Sequence, residues 1–415
     1  MTRTRPIDDA TLTSLAGEYG TPLYVYNAGA IRRQAATLSG FDIVRYAQKA
    51  NSNLAILRLI RSLGFRVDAV SAGEVLRALR AGFRDQEITF TADIFDRAAL
   101  QVLGEHAVHV NIGSADMIEQ YAHIRPGGDI TLRINPGFGH GHDKKVSTGG
   151  EESKHGIWMA QQAEAVKRVE AAGLRVTGIH MHIGSGSDFS HLSKIRHAMN
   201  VAVRAAGDDL SYFSVGGGLP VPYRPEDHDF DIGRYTRDWH KTKADLQQDL
   251  GYDLVMEVEP GRYLMAQAGL LLAEVRAIKT SGSQRYILCD AGFNDLLRPA
   301  MYGAYHHVSI VGGDTGMTFP TLIGGPICES ADLMTQSKGS VVDPRELPEA
   351  QVGDLVCIHD TGAYGASMGS NYNSRRLPAE VLVDGDDVTL IRRRQTWDEM
   401  LELEEVSPEP IVQRP

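Results

Sequence analysis

The chain has 415 residues, of which 42% are hydrophobic and 23% are charged, and this composition is typical of a globular protein with roughly one to three domains. Its formal net charge is −11 and its only dense basic run is Arg392-Arg393-Arg394, which argues against a nucleic-acid surface. The three cysteines, Cys289, Cys328 and Cys357, are too few and too widely spaced to indicate a disulfide framework or a cysteine zinc site.

The first twenty residues, MTRTRPIDDATLTSLAGEYG, contain no apolar segment of the kind that a secretory signal needs. No apolar run in the chain approaches the length that crosses a bilayer. Together with the scarcity of cysteine, these features predict a protein of the reduced cytoplasm whose partners are neither a membrane nor nucleic acid.

From about residue 43 to residue 260, short apolar runs alternate with segments of helical spacing. The predicted strands are IVRYAQ, RVDAV, EITF, VHVN, ITLRI, VTGIHMHI, YFSV and LVMEVE. Two of the helical segments, SNLAILRLIRSLG and SAGEVLRALRAG, begin with Ser52 and Ser71 in plausible N-cap positions. Such β–α alternation predicts a parallel (β/α)8 barrel of the TIM type, with an open doubly wound sheet as the alternative.

After about residue 270 the pattern changes to that of antiparallel strands. The runs are RYILCD, VGDLVCIHD and AEVLVDGDDVTLIRRR, the last containing the turn DGDD. We therefore expect an α/β barrel followed by a mainly antiparallel C-terminal β domain. The expected parts are residues 1–27, whose segment TPLYVYN joins the β domain, residues 28–270, which form the barrel, and residues 271–415, which form the β domain.

Polar residues stand at the C-terminal end of every predicted barrel strand, where barrels of this type place their chemistry. They are Lys49, Asp68 with Ser71, Thr91, Asn111, Asn135, His180 with His182 and Ser185, Gly216–Gly218, and Glu259–Arg262. The long polar connection from Asn135 to Trp158 also follows one of these ends. Long connections of this kind are either functional loops or disordered.

An anion site is indicated at three of these strand ends. The glycines at 216, 217 and 218 let backbone N–H groups approach a phosphate closely, although three glycines also make an ordinary tight turn. Arg262 and Ser185 stand on neighbouring ends and would complete a phosphate cradle.

Histidines leave a metal site as the alternative at the same strand ends. His180 and His182 lie two apart on a strand, and the pairs His140 with His142 and His306 with His307 occur elsewhere. Because no acidic residue stands at a typical ligand spacing, an organic phosphate is favoured and no metal is expected.

Lys49 and Glu259 make the predicted ligand more specific. A lysine at a strand end is most often a solvated charge, and a carboxylate there is often a general base or one half of an ion pair. Pyridoxal 5'-phosphate, however, needs a lysine for its Schiff base, an anion site, and an acidic partner for its pyridine nitrogen. The sequence therefore predicts that Lys49 carries this cofactor.

A series of motifs occurs in order between about Thr21 and Glu404. The motifs are YAQKANSN, HIGSG, GGG, EPGR, DAGFNDLLRPAMYGAYHH, GPICESAD and GAYGASMGSNYNSR. The series resembles that of the bacterial diaminopimelate decarboxylases, which are pyridoxal-phosphate enzymes with a barrel and a C-terminal β domain. The resemblance implies decarboxylation of meso-2,6-diaminopimelate to L-lysine and carbon dioxide, the last step of lysine biosynthesis.

The resemblance also implies residue roles. Lys49 would form the Schiff base, His182 would stack on the cofactor ring, and Cys328 would protonate the substrate. The implied cofactor-binding residues are Lys49, Asp68, His182, Ser185, Gly216, Gly217, Gly218, Glu259, Gly261, Arg262 and Tyr364. The implied substrate-binding residues are Arg262, Arg298, Tyr302, Glu329 and Tyr364. Cys328 and Glu329 would come from the other subunit of a homodimer, so that the active sites are shared across the interface.

Two rival functions stay open from the residues alone. One is a decarboxylase of the same fold that acts on ornithine, arginine or carboxynorspermidine, and the RPAMY and CES motifs argue against it. The other is a cofactor-carrying or regulatory protein without turnover. Such a protein would be expected to have lost Lys49 or Cys328, and both are present.

Overall fold

The computed structural model describes residues 7–139, 148–184, 189–207, 209–313 and 316–406. These residues form two compact units. The barrel unit comprises Asn27–Gly269 and Asp360–Ser367, and the β unit comprises Ile7–Tyr26, Leu270–His359 and residues 368–406. The short segment Asp360–Ser367 thus belongs to the barrel unit although it lies far along the chain.

Strands and α-helices alternate through the barrel unit, and strands predominate in the β unit. The strands are β1 Leu23–Asn27, β2 Ile43–Ala47, β3 Arg66–Ala69, β4 Ile88–Ala92, β5 His109–Ile112, β6 Asp129–Asn135, β7 Ile157–Trp158, β8 Arg175–His180, β9 Tyr212–Ser214, β10 Val255–Val258, β11 Gly269–Ser281, β12 Gln284–Cys289, β13 Val308–Ile310, β14 Thr318–Gly324, β15 Gln336–Ser337, β16 Val341–Val342, β17 Arg345–Pro348, β18 Leu355–Ile358, β19 Ala379–Asp384 and β20 Asp387–Arg392. The helices are α1 Asp9–Tyr19, α2 Ala28–Ala36, α3 Leu54–Ser62, α4 Ala72–Arg80, α5 Arg97–Glu105, α6 Met117–Ile124, α7 Gln162–Ala171, α8 Phe189–Arg204, α9 Ile232–Leu250, α10 Arg262–Met265, α11 Arg298–Tyr302 and α12 Trp397–Leu401.

The barrel is closed by parallel pairing of β2, β3, β4, β5, β6, β8, β9 and β10. Each of the predicted strand runs contributes one of these strands, and β10 pairs back onto β2. The predicted (β/α)8 barrel is therefore confirmed, and the open doubly wound sheet is wrong. A barrel of this kind brings the C-terminal ends of all its strands to one face.

The starts of α3 and α4 test the two predicted N-caps. Ser71 is confirmed, because its hydroxyl accepts the backbone N–H of Glu74 at 3.2 Å. Ser52 is wrong as the cap of α3, because Asn53 takes that position and its side chain accepts the N–H of Ala55 at 2.9 Å. An asparagine caps a helix as well as a serine does, so the neighbour with the suitable backbone conformation takes the role.

Buried polar side chains form a hydrogen-bonded layer within the barrel strands. Arg45 donates through two nitrogens to both carboxylate oxygens of Glu257, at 2.7 and 2.8 Å. The hydroxyl of Tyr212 contacts His109 Nε2 at 2.5 Å and also contacts Thr131. These mutual hydrogen bonds offset most of the cost of burying the polar side chains, although Arg45 Nη1 has no hydrogen-bond partner among the described residues.

The β unit is built around a sheet with the order β17-β14-β12-β11-β1-β19-β20. The predicted extra strand in TPLYVYN is confirmed as β1, and AEVLVDGDDVTLIRRR forms the antiparallel hairpin of β19 and β20. The sheet is mixed rather than purely antiparallel, because β12 pairs parallel with β14. Its core includes Leu12 and Leu15 of α1 together with Leu23, Leu270 and Val381.

Among the described residues, no helix is both long enough and apolar enough to cross a bilayer.

Candidate active site

Lys49 lies in a single helical turn, Gln48–Ala50, that follows β2, and its side chain is exposed. The carbonyl of Ala50 accepts the backbone N–H of Tyr364 at 2.8 Å and the hydroxyl of Ser367 at 3.2 Å. The segment Asp360–Ser367 is thereby fixed to the lysine turn. Tyr364 has a φ of 58°, a strained conformation for a residue other than glycine, and such strain is concentrated at functional sites.

Asp68 ends the next strand and is buried within a chain of hydrogen bonds. The hydroxyl of Thr91 donates to Asp68 Oδ1 at 2.5 Å, and the side-chain amide of Asn111 donates to that hydroxyl at 2.8 Å. Burial, followed by the negative charge of Glu259, raises the pKa of Asp68 to about 8, while the charge of Lys49 opposes this rise. Asp68 therefore lies in the electrostatic field of two other predicted site residues.

Asp68→Asn is expected to stabilise the cofactor-free protein more at pH 8 than at pH 5, by roughly 2–4 kcal/mol. The carboxyl holds its proton up to about pH 8 in the folded state but only to about pH 4 when unfolded. Its stabilising contribution is thus complete below pH 4 and is lost as the pH rises toward 8. Urea unfolding at both pH values measures the difference, and asparagine has no proton to lose.

The matched control for this substitution is Asp386→Asn in the exposed turn between β19 and β20. It should change the unfolding free energy equally at pH 5 and pH 8. If Asp68→Asn behaved in the same way, the raised pKa of Asp68 would be wrong.

Glu259 follows β10 as a buried carboxylate with two hydrogen-bond donors. His180 Nε2 lies 2.8 Å from one carboxylate oxygen, and the hydroxyl of Ser214 donates to the other at 2.7 Å. Burial opposes ionisation, but the charge and hydrogen bond of His180 and the hydrogen bond of Ser214 outweigh it and lower the pKa of Glu259 to about 2. The barrel end therefore holds a permanently ionised carboxylate at neutral pH.

His182 and the glycine turn pack against each other beside Glu259. The backbone N–H of Gly217 donates to His182 Nδ1 at 3.1 Å. Burial, then the charges of Lys49 and Arg133, hold the pKa of His182 well below its usual value, so the ring is neutral and can accept this bond. A Cβ on Gly217 would lie 2.2 Å from the carbonyl oxygen of Glu259, so no larger residue fits.

Arg262 begins α10 and reaches two aromatic rings of the barrel unit. Its Nη1 donates to the hydroxyl of Tyr223 at 2.9 Å, and its guanidinium carbon lies 5.1 Å from the centre of the Tyr364 ring. Gly261, just before it, packs so closely that an added Cβ would lie 3.2 Å from the Cβ atoms of Ala47 and Ala50. Tyr223 was not among the predicted site residues. Of the predicted residues, Ser185, His140 and His142 lie outside the part of the chain that the structure describes.

The connection after β6 is attached to the barrel by side chains that the sequence did not identify as a group. Asn135 donates to the carbonyls of Gly150 and His155 at 3.2 and 3.1 Å. Asp93, which was not predicted, contacts the His155 ring and accepts the N–H of the next residue at 2.9 Å. Thr148 donates its hydroxyl to the carbonyl of His182 at 3.1 Å, so this connection also supports the predicted ring-stacking residue.

Arg298 begins α11 in the β unit, and its side chain is buried. Its Nη1 donates to His306 Nε2 at 2.8 Å, and His306 Nδ1 donates to the carbonyl of His359 at 2.8 Å. Both nitrogens of His306 are thus engaged in hydrogen bonds. Tyr302, at the end of the same helix, is half-buried. No group of three or more His, Cys, Asp or Glu side chains arranged for a metal ion occurs within the described residues.

Cys328 and Glu329 lie in an exposed loop of the β unit. The backbone N–H of Cys328 donates to Asn373 Oδ1 at 2.8 Å, and the hydroxyl of Tyr372 donates to Glu329 Oε1 at 2.7 Å. Cys289 and Cys357, in contrast, are buried. Cys328 is therefore the one cysteine of the three whose thiol solvent can reach.

The groups at the barrel end meet the chemical requirements of pyridoxal 5'-phosphate. An exposed lysine stands at one strand end, and an ionised carboxylate that can pair with a protonated ring nitrogen stands at another. A neutral histidine and a glycine turn without room for a Cβ complete the set.

Comparison with known proteins agrees with this chemistry. The family described as "Pyridoxal-dependent decarboxylase, pyridoxal binding domain" matches residues 29–266. The diaminopimelate decarboxylase of Streptomyces coelicolor is 51% identical over 98% of this chain and 94% of its own length. The diaminopimelate decarboxylase of Escherichia coli K12 is 49% identical over 95% of this chain and 96% of its own length. A crystal structure of a diaminopimelate decarboxylase superposes with a TM-score of 0.94 at 48% identity and covers 97% of this chain and 98% of its own. The family expected from the motif series is thereby confirmed, and the chain belongs to the diaminopimelate decarboxylases, a family of pyridoxal-dependent decarboxylases.

Proposed function

We propose that this chain is a pyridoxal-phosphate-dependent carboxy-lyase that converts meso-2,6-diaminopimelate to L-lysine and carbon dioxide in the last step of lysine biosynthesis. The observation that carries the proposal is the ionised, buried Glu259, held by His180 and Ser214 at a barrel end that also bears Lys49, in a chain of this family. Among the described residues, no lysine or arginine forms an ion pair with Glu259, whose ionic partner is His180. A structural ion pair with a lysine or arginine therefore does not account for this buried charge.

Different residues of this chain would have different roles in holding the cofactor. Bound pyridoxal phosphate supplies an electron sink for the bond that loses carbon dioxide. Lys49 Nζ would hold the cofactor until substrate replaces it. Glu259 would keep a proton on the ring nitrogen, and neutral His182 would offer its flat face to the ring. The other residues that would hold the cofactor are Asp68, Ser185, Gly216, Gly217, Gly218, Gly261, Arg262 and Tyr364.

A second set of residues would recognise the substrate. Arg298 can pair with the distal carboxylate through two hydrogen bonds, to which Tyr302 adds a third. Glu329 can pair with the distal ammonium, and Arg262 and Tyr364 would contact the substrate near the cofactor. The Cys328 thiol would give its proton to Cα as carbon dioxide leaves, and the thiolate would take up a proton from water before the next turnover.

We further propose that the chain forms a homodimer in which Cys328 and Glu329 of one subunit serve the active site of the other. Mixing a Lys49→Ala subunit with a Cys328→Ala subunit should then restore part of the activity that each variant lacks alone. The proposed location is the reduced cytoplasm, which suits the exposed Cys328 thiol.

Product analysis tests the proposed function. Purified protein with pyridoxal phosphate is incubated separately with meso-diaminopimelate, ornithine, arginine and carboxynorspermidine, and carbon dioxide and the product amine are measured. Lysine from diaminopimelate alone is the expected result. Turnover of another of these substrates would keep the cofactor site and overturn the assigned substrate pocket. No turnover with bound cofactor would favour the rival binding protein.

Arg298→Ala is expected to lower kcat/KM for meso-diaminopimelate by about 100-fold, because a charge-assisted pair with the distal carboxylate is lost. D-Lysine has the same reacting centre and distal amine but no distal carboxylate. Its slow turnover should therefore change little, so the preference for diaminopimelate over D-lysine should fall.

Arg345→Ala is the matched control, because Arg345 is also a buried arginine of the β unit and lies over the Tyr305 ring at 4.1 Å. It should alter the stability of the protein without altering the substrate preference. Equal losses on both substrates in Arg298→Ala would show that the arginine supports the fold and not the distal carboxylate.

A further inference from the structure

Two consecutive residues of one turn hold two consecutive residues of the loop that carries the predicted proton donor. Asn373 Oδ1 accepts the backbone N–H of Cys328 at 2.8 Å, and the Tyr372 hydroxyl donates to Glu329 Oε1 at 2.7 Å. All four residues belong to the β unit. The turn and the loop are thus joined by two side-chain hydrogen bonds. These bonds hold Cys328, the proposed proton donor, and Glu329, the proposed partner of the distal ammonium.

The holding turn contains two residues in a left-handed backbone conformation. Asn373 and the next residue, Ser374, have φ values of 53° and 54°, in the left-handed region that residues other than glycine rarely adopt. The Tyr372 side chain is exposed, with its ring stacked on Phe293 at 5.7 Å between centres. The turn is exposed and serves no hydrophobic core, and backbone strain of this kind is concentrated at functional sites.

A carboxylate supports the other end of the loop. Asp332 accepts the backbone N–H of Ile327 at 2.7 Å through one oxygen and that of Phe293 at 2.7 Å through the other. Cys328 and Glu329 therefore lie between two fixed points, Asp332 and the Tyr372–Asn373 turn. Within the described residues, only the Oε1 oxygen of Glu329 accepts a hydrogen bond, which leaves Oε2 available to a ligand.

We propose that Tyr372 and Asn373 are positioning residues that set this pair for the reaction. Tyr372 would orient the Glu329 carboxylate toward the distal ammonium, and Asn373 would fix the backbone from which the Cys328 thiol projects. The inference rests on the proposed function. Its physical basis is preorganisation: an exposed glutamate loses rotamer freedom on binding an ammonium, and a hydroxyl that already holds it reduces that loss.

The test compares two substrates in the cofactor-loaded protein. D-2-Aminopimelate has the same reacting centre and distal carboxylate as meso-diaminopimelate but lacks the distal ammonium. Tyr372→Phe keeps the ring stack and removes only the hydroxyl, so kcat/KM for diaminopimelate should fall by about 5- to 10-fold and that for D-2-aminopimelate should not change. Glu329→Gln should reduce the same preference, and adding Tyr372→Phe to it should have no further effect on the preference.

Tyr26→Phe is the matched control, since the Tyr26 hydroxyl in β1 also donates to a glutamate of the β unit, Glu380, at 2.6 Å. It should leave both substrates unaffected. Equal losses on the two substrates in Tyr372→Phe, or independent effects of Tyr372→Phe and Glu329→Gln in the double variant, would overturn the role of Tyr372.

The role of Asn373 has a readout that does not depend on turnover. Cys328 is the exposed cysteine of the chain, so its alkylation by iodoacetamide can be followed by intact mass. Asn373→Ala should change the alkylation rate by about 3-fold or more, whereas Asn373→Asp keeps the accepting oxygen and should restore it. An unchanged rate in Asn373→Ala would overturn its role. If the proposed function were wrong, the protein without any substitution would show no turnover of meso-diaminopimelate. The comparison of alkylation rates would still decide the role of Asn373, because it does not depend on turnover.

Discussion

Lys49→Ala is expected to lower turnover of meso-diaminopimelate by about 1,000-fold or more and to abolish the covalent attachment of pyridoxal phosphate. Lys49 is exposed in the turn after β2. Burial and then the charge of Lys49 lower the pKa of His182, so the lysine acts electrostatically on the predicted ring-stacking residue. Intact mass after borohydride reduction measures attachment, and lysine release measures turnover.

Two variants separate covalent attachment from loss of charge. Lys49→Arg keeps a positive charge but has no amine for the imine bond, so it should be as inactive as Lys49→Ala. Lys279→Ala, which removes an ammonium group lying over the Tyr286 ring in the β unit, should retain both attachment and turnover. Borohydride-stable attachment in Lys49→Ala would assign the cofactor to a different lysine.

The fold could be predicted to the level of individual strands because the pattern of apolar residues differs between strands and helices. Side chains alternate faces every residue in a strand and return to the same face about every 3.6 residues in a helix. Each predicted barrel run forms a barrel strand, and the closed barrel brings the strand ends that carry the predicted polar residues to one face. The pattern did not distinguish Ser52 from Asn53 as the cap of α3, because both side chains can cap. It also did not reveal that β12 pairs parallel with β14, because alternation along a strand is the same for either direction of its partner.

The candidate site was only partly predictable, for a similar reason. Lys49, Asp68 and Glu259 stand at the ends of predicted strands, so the strand pattern together with their residue types was enough to propose them. Ser214 lies inside a run that reads as an ordinary strand, and its contact with Glu259 becomes visible only when the barrel closes. The Asp93–His155 and Tyr372–Glu329 contacts join residues 62 and 43 positions apart, and no local pattern connects them.

Glu259→Gln is expected to lower kcat by about 100- to 1,000-fold while the cofactor stays attached to Lys49. Glutamine has the size of glutamate and can still accept the hydroxyl of Ser214, but it carries no charge to keep a proton on the ring nitrogen. The substitution should therefore weaken the step in which electrons move into the ring, and leave cofactor binding largely intact. Single-turnover decay and the amount of bound cofactor measure the two effects separately.

The same substitution has a second consequence that can be measured without cofactor. Burial and then the charge of Glu259 raise the pKa of Asp68 to about 8, so Glu259→Gln should lower that pKa. The loss of stability between pH 5 and pH 8 that Asp68 causes should then become smaller, because the pKa of Asp68 in the folded state moves closer to its pKa in the unfolded state.

Glu257→Gln, two residues earlier on β10, is the control because Glu257 pairs with Arg45. It should destabilise the protein at both pH values by about 3–5 kcal/mol and leave the pH dependence unchanged. If the unfolding free energies of Glu259→Gln and Glu257→Gln had the same pH dependence, the electrostatic link between Glu259 and Asp68 would be wrong. The view that Glu259 is kept ionised at this barrel end while Asp68 is kept protonated would then be wrong as well.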